Sequence, residues 1–185
     1  MNQILLTASF LALVLNSLAT SAQIGPINFA GCPSEVTWLS DESGKNNIVK
    51  IVPESFRIAS KLKKLSRVTC NLIIPILGKP NVKYVIAASG FLGSASLPSK
   101  NVLLTATHEA FWAGTIGPKG TKSVKGPFKD ILSSTVFSNI ESGCGLGSNL
   151  RLNSSAILNV KKKLSSEAVV KIDQVVIQIA EVPCN

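Results

Sequence analysis

The chain has 185 residues, 45% of them hydrophobic and 16% charged, which is room for one domain with a charge content well below the roughly 25% of an average soluble protein. This excludes a disordered chain, which needs low hydrophobicity and high charge, and 13 glycines without a triplet period exclude a collagen-like one. Nineteen Lys and Arg against ten Asp and Glu give a net charge of +9, and one His with three Asp (Asp41, Asp130 and Asp173) leaves little material for hydrolytic or metal chemistry.

The first feature along the chain is an apolar run, Leu5–Leu15, followed by small residues over Ala19–Ala22. Its length suits a secretory signal with an A-x-A-like cleavage pair at Thr20 and Ala22. It is too short to cross a bilayer core, which takes about 20 helical residues. Residues 1–22 are therefore expected to be a cleaved signal peptide and 23–185 a secreted, extracellular domain that keeps all the positive charge. No later stretch is a candidate membrane span, because Lys, Asn, Gln or Pro interrupts every apolar segment.

Period two dominates the rest of the chain. Ile48, Lys50 and Val52 alternate with Val49 and Ile51. Val68, Cys70, Leu72 and Ile74 share one face of Arg67–Leu77, and the turn Gly78-Lys-Pro-Asn81 leads into Val82–Phe91. These two strands are expected to form a hairpin. The turn Pro98-Ser-Lys-Asn101 precedes Val102–Ala113, where Val102, Leu104, Ala106, His108, Ala110 and Trp112 lie on one side. Gly114–Gly126, rich in Gly, Lys and Pro, is expected to be an exposed loop. Ile131–Ile140 and Leu150–Val160 are further strands, the second with Leu150, Leu152 and Ser154 on one face. The last, Ala168–Val182, loses its alternation near Asp173-Gln174, which predicts a bulge. Ser60–Ser66 is the best helical candidate and is too short and basic to be more than a turn. Seven to nine strands between Gly/Pro turns predict an all-β fold, a single antiparallel β-sandwich.

Four cysteines, Cys32, Cys70, Cys144 and Cys184, are an even count in an exported chain and read as two disulfides. Three pairings are possible and sequence alone does not choose among them. The sequential one, Cys32–Cys70 with Cys144–Cys184, is preferred to the nested one, Cys32–Cys184 with Cys70–Cys144. The spacings contain no CxxC pair, so no metal site is expected.

Short signatures recur in order: Gly31-Cys32-Pro33, Arg67-Val-Thr-Cys70-Asn-Leu-Ile-Ile74, Gly126-Pro127, Gly143-Cys144-Gly145 ahead of Leu150-Arg-Leu152, and Pro183-Cys184. On these the chain, over about residues 30–184, resembles the small secreted four-cysteine β proteins catalogued as domain of unknown function 4360. The resemblance implies two disulfides and a β-rich fold, and it brings no catalytic residue with it.

No residue pattern points to a catalytic centre. His108 as a general base would need a nucleophile and an orienting carboxylate, and Glu109 beside it on a strand faces the other way. Gly143–Gly147 lacks the order of a phosphate-binding loop, and Glu141 and Glu167 are too scattered to nominate a glycosidase pair. Trp38 and Trp112 read as core fillers, with the edge of a ligand- or membrane-facing surface as the other use. Asn153-Ser-Ser155 is the sole glycosylation sequon; its place within a strand argues against occupancy.

The basic residues are the remaining signal. They fall in three groups: Arg57, Lys61, Lys63, Lys64 and Arg67; Lys119, Lys122, Lys125 and Lys129; and Lys161, Lys162 and Lys163. Converging on one face, they would attract lipid headgroups or an acidic polysaccharide. Solvated lysines that keep an apolar sandwich soluble and its edges unpaired are the competing account. Nucleic acid is a poor fit, because Tyr84 is the only Tyr and no aromatic stacking platform accompanies the charge. The sequence thus predicts a secreted, non-enzymatic, cofactor-free protein binding an anionic extracellular surface or partner. A membrane-active toxin or effector is the first alternative, and an enzyme of unconventional chemistry the last.

Overall fold

The structure is a computed structural model that describes residues 24–145 and 147–184. The predicted export signal and its cleavage site lie outside the described residues. Eleven strands make up the fold: β1 (Asn28–Ala30), β2 (Ser34–Ser40), β3 (Asn46–Pro53), β4 (Arg57–Ser60), β5 (Lys64–Ile76), β6 (Val82–Leu97), β7 (Val102–Trp112), β8 (Lys119–Lys125), β9 (Phe128–Glu141), β10 (Ser148–Val160) and β11 (Ala168–Pro183). They form two antiparallel sheets, one in the order β1-β5-β10-β7-β8 and the other β2-β3-β11-β6-β9, with β4 also pairing β11. This is the antiparallel sandwich expected from the alternation of the sequence.

The alternating side chains explain why the sheets stack. Cys70, Leu72, Ile74 and Ile76 of β5, Leu150, Leu152, Ala156 and Leu158 of β10, and Val102, Leu104, Ala106, Ala110 and Trp112 of β7 are all buried. They meet Tyr84, Ile86, Phe91, Ile172, Val175, Ile177 and Ile179 of the second sheet in one continuous core. Fully burying one such side chain is worth about 1.5–3 kcal/mol. One-residue slippage of any of these strands would turn its apolar set to solvent, so the register is strongly fixed. β11 carries the expected irregularity: its pairing with β6 shifts between Ile172 and Gln174, and the bulged Asp173 is paired by Lys171 Nζ at 2.6 Å.

The cysteines pair sequentially, Cys32 with Cys70 and Cys144 with Cys184. Gly31 prepares the first bridge. It has φ +93°, and a Cβ there would sit 2.7 Å from the Thr69 carbonyl oxygen. Only glycine lets the chain turn from β1 in one sheet to β2 in the other while lying this close to β5.

Three expectations need correction. The segments on either side of Gly78–Asn81 are β5 and β6, but they belong to different sheets, so they are not a hairpin. The turn, with Asn81 at φ 59°, carries the chain across the core; period-two alternation says which face of a strand is buried but not which strand lies beside it. The supposed loop Gly114–Gly126 contains β8, an edge strand on β7 from Lys119↔Glu109 to Lys125↔Leu103. Lysines on an edge strand discourage pairing with other chains, and their polarity masks the strand in the sequence. The strand number exceeds seven to nine because β1 and β4 span three and four residues, too few to show a period. Around Ser60–Ser66, β4 runs to Ser60, a bend covers 62–63, and β5 already begins at Lys64.

Candidate anionic-surface site

Four connections reach the same end of the sandwich. Pairing of Val160 with both Lys64 and Val102 places the starts of β5 and β7 beside the end of β10. Pairing of Ala168 with Ser60, and of Val169 with Ser96, puts the end of β4, the start of β11 and the end of β6 there as well. Lys125↔Leu103 and Lys129↔Ser96 add the turn between β8 and β9. Backbone hydrogen bonds tie these connections in series. Leu164 N donates to Lys61 O at 3.0 Å, Lys161 N to Asn101 O at 2.9 Å, and Gly126 N to Val102 O at 3.0 Å. The buried Leu164 anchors the loop that presents Lys161, Lys162 and Lys163.

Much of the chain's positive charge is therefore gathered on these linked turns. Lys61, Lys63, Lys64, Lys125, Lys129, Lys161, Lys162 and Lys163 are all exposed at or next to this end, with Glu167 and Asp130 as the nearby acids. The exposed Lys100 of the β6–β7 turn belongs with them. That turn is legible in the sequence, but a single lysine outside any basic run gives no sign that it joins the others. Arg57 stands three residues further in, on the outer face beside Lys171, and Arg67 lies outward on β5 opposite Ile157. Lys122 and Lys119 run away from the cluster along β8, the latter opposite Glu109. So the structure brings the three lysines of the first group together with the third group, leaves Arg57 and Arg67 outside, and splits the second.

The opposite end differs in kind. There Lys79 pairs with Glu181 at 2.8 Å and Lys83 with Glu141 at 2.6 Å. Side-chain hydrogen bonds from Asn46 and Ser43 hold the Asp41 carboxyl down at about 2. Among the described residues no lysine of the basic end forms an ion pair; the third pair found is Lys171–Asp173.

His108 is buried between the sheets. Its Nε2 lies 3.1 Å from the Ser89 carbonyl oxygen of β6, which can only accept, so Nε2 carries the proton and Nδ1 is the unprotonated nitrogen. Nδ1 makes no hydrogen bond to the protein, nor does Ser154 Oγ, on its register partner. Phe91 stands edge-on to the imidazole at 5.3 Å. Burial, partly offset by the Ser89 hydrogen bond, pushes the His108 pKa below its ordinary 6.5. The unfolded chain thus takes up a proton near pH 6.5 that the folded one refuses. Stability is unaffected by this group above that pH and falls as the pH drops toward the lowered folded value. Because His108 is the only His, urea titrations between about pH 7 and 5 should show this loss in the parent and a flatter profile in His108→Gln, as carboxylates titrate lower. Identical slopes in the two proteins would rule it out. Gly120 covers the ring: a Cβ there would lie 2.0 Å from His108 Cε1. Gly120→Ala is accordingly expected to cost about 1–3 kcal/mol through overpacking, read as a lower urea midpoint.

Asn153 is exposed mid-strand on the outer face of the five-stranded sheet, between Asn71 and Glu109 and away from the basic end. Trp38 and Trp112 are both in the core.

A family model described as a domain of unknown function, DUF4360, matches residues 22–182. The chain belongs to the DUF4360 family. No curated protein matches the sequence. Among solved structures, the DUF4360 chain is similar to the carbohydrate-binding module TmCBM61, solved with β-1,4-galactotriose, at 11% identity over 87% of this chain and 90% of that one, with a TM-score of 0.29. A second module, TmCBM27, described for mannan recognition, shows 7% identity over 84% and 96% with a TM-score of 0.32. An apo cyclase from Fischerella sp. shows 11% identity over 92% and 91% with a TM-score of 0.28. At such values these likenesses lend no ligand to the DUF4360 chain.

Proposed function

We propose that this chain is a secreted, non-enzymatic protein that attaches to an anionic extracellular surface through its lysine-rich end. The observation that carries the reading is the gathering of lysines on turns tied by backbone hydrogen bonds, while ion pairs offset the charge at the other end. Two disulfides fit an oxidising compartment. A rigid scaffold holding several unpaired ammonium groups in one region raises the local concentration of anions and steers them in, with a strength that falls as salt screens it.

Immobilised heparin is a suitable probe. The protein is expected to elute well above physiological salt, and the variant Lys161→Gln/Lys162→Gln/Lys163→Gln at clearly lower salt. Lys45→Gln/Lys50→Gln, away from the site, removes two charges against three and should elute close to the parent, not two thirds of the way to the triple variant. Equal losses in both variants would mean that net charge alone, not the lysine-rich end, governs attachment.

A further inference from the structure

We propose that the surface this end meets is an anionic phospholipid bilayer, and that Leu62 and Leu65 enter its headgroup–acyl boundary while the surrounding lysines contact headgroups. The inference rests on the charge reading above and adds to it an apolar component that charge does not explain. Lys61-Leu62-Lys63-Lys64-Leu65 is a continuous exposed segment, with Leu62 58% and Leu65 68% exposed. Neither leucine can retreat into the core. The inward positions of β5 are the even-numbered Cys70, Leu72, Ile74 and Ile76, so Leu65 is committed to the outer face. Leu62 sits at the tip of the β4–β5 bend, which is held from both sides by Ser60 Oγ donating to Leu62 O at 3.3 Å and Leu164 N donating to Lys61 O at 3.0 Å.

Single exposed leucines are ordinary on protein surfaces. Two within four residues, inside the most cationic segment and beside Lys161, Lys162 and Lys163 across the Leu164–Lys61 link, match what an anionic membrane interface rewards and a hydrated polyanion does not. Lysines gain from the negative surface potential, and short apolar side chains gain from the boundary just beneath it. Leu103 extends the apolar component: it stands 37% exposed in the same row as Leu65, across Asn159. Ile116, 89% exposed beyond β7 toward the other end, is equally apolar but outside the lysine cluster, and so serves as a control.

The test is co-sedimentation of the whole protein with phosphatidylcholine vesicles, with or without phosphatidylglycerol, alongside heparin elution. The parent should partition onto phosphatidylglycerol-containing vesicles and not onto phosphatidylcholine alone. Leu62→Ser/Leu65→Ser should reduce partitioning about tenfold or more with heparin elution unchanged, whereas Ile116→Ser should alter neither. Leu62→Trp should raise partitioning severalfold and shift its emission to the blue on anionic vesicles, and it keeps the test open should the serines disturb the bend. Parent protein that binds heparin but ignores anionic vesicles overturns the bilayer inference and leaves the charge reading standing. Unchanged partitioning in both leucine variants overturns the role of the leucines. Failure on heparin as well as on vesicles takes down both readings.

Discussion

Replacing Cys32 and Cys70 together by alanine is expected to lower the unfolding free energy by about 4 kcal/mol, within the usual range of about 2–5 for a native bridge in a small secreted domain. The bridge spans 38 residues, and the chain-entropy argument gives this size for a loop of that length. It also sits where the topology is most exposed to disorder. Cys32 lies on the crossing from β1 at the edge of one sheet to β2 at the edge of the other, and β1 is held by only three residues of pairing to β5. Both cysteines are fully buried, so alanine rather than serine isolates the cross-link without burying new hydroxyls. The second bridge, spanning 40 residues, closes a loop of similar size but lies at the surface, Cys144 exposed and Cys184 partly so. Thiol–disulfide exchange requires the attacking thiolate to reach a sulfur. Mild reduction followed by alkylation should therefore label Cys144 and Cys184 first, with Cys32 and Cys70 labelled only as the protein unfolds. Labelling of all four at one rate would contradict this order.

The physics of strands accounts both for the features legible in the sequence and for those hidden in it. Long half-buried strands state themselves in alternation: Val102 to Trp112 every second residue, Leu150 to Ser154, and the slip at Asp173 all have their counterparts in the structure. Pairing partners are not encoded in that alternation. β5 and β6, joined by a short turn typical of hairpins, part company into two sheets because each offers a buried face to the other across the core. β2 is hard to see in the sequence because its inward side is partly polar. Ser34, Trp38 and Ser40 are its buried positions, with Trp38 Nε1 donating to Asn47 Oδ1 at 3.0 Å and Ser40 Oγ to the same atom at 2.6 Å. The lysine groups are visible as runs. Their grouping is not, because it depends on which strand ends share one end of the sandwich: Lys161 meets the Lys61 turn only through the long-range pairing of β10 with β5. Leu62 and Leu65 are inconspicuous for a related reason. An apolar residue in a basic run looks like a buried contact until the register of β5 turns Leu65 outward and the β4–β5 bend holds Leu62 at its tip.

The largest single-residue loss of stability should follow Trp112→Ala, about 3–5 kcal/mol by urea unfolding, the range for truncating a buried aromatic. Trp112 is fully buried at the end of β7, with the Tyr84 ring 6.2 Å away and tilted 43°. Its Nε1 donates to the Ile140 carbonyl oxygen at 2.9 Å. That acceptor belongs to β9 in the other sheet, as the Ser89 acceptor of His108 belongs to β6, so β7 sends two side-chain hydrogen bonds across the sandwich. Interdigitated apolar side chains already oppose sliding of one sheet over the other, and two hydrogen bonds from one strand add directional ties to that packing. Trp112→Phe separates the contributions. It keeps most of the aromatic packing but removes the donor to the half-buried Ile140 carbonyl, and should cost about 0.5–1.5 kcal/mol, the net contribution of one hydrogen bond. A Phe variant as stable as the parent would mean that the tie contributes nothing beyond volume. Alanine and phenylalanine variants of equal stability would show that the hydrogen bond, not the ring, holds this end of the sandwich together.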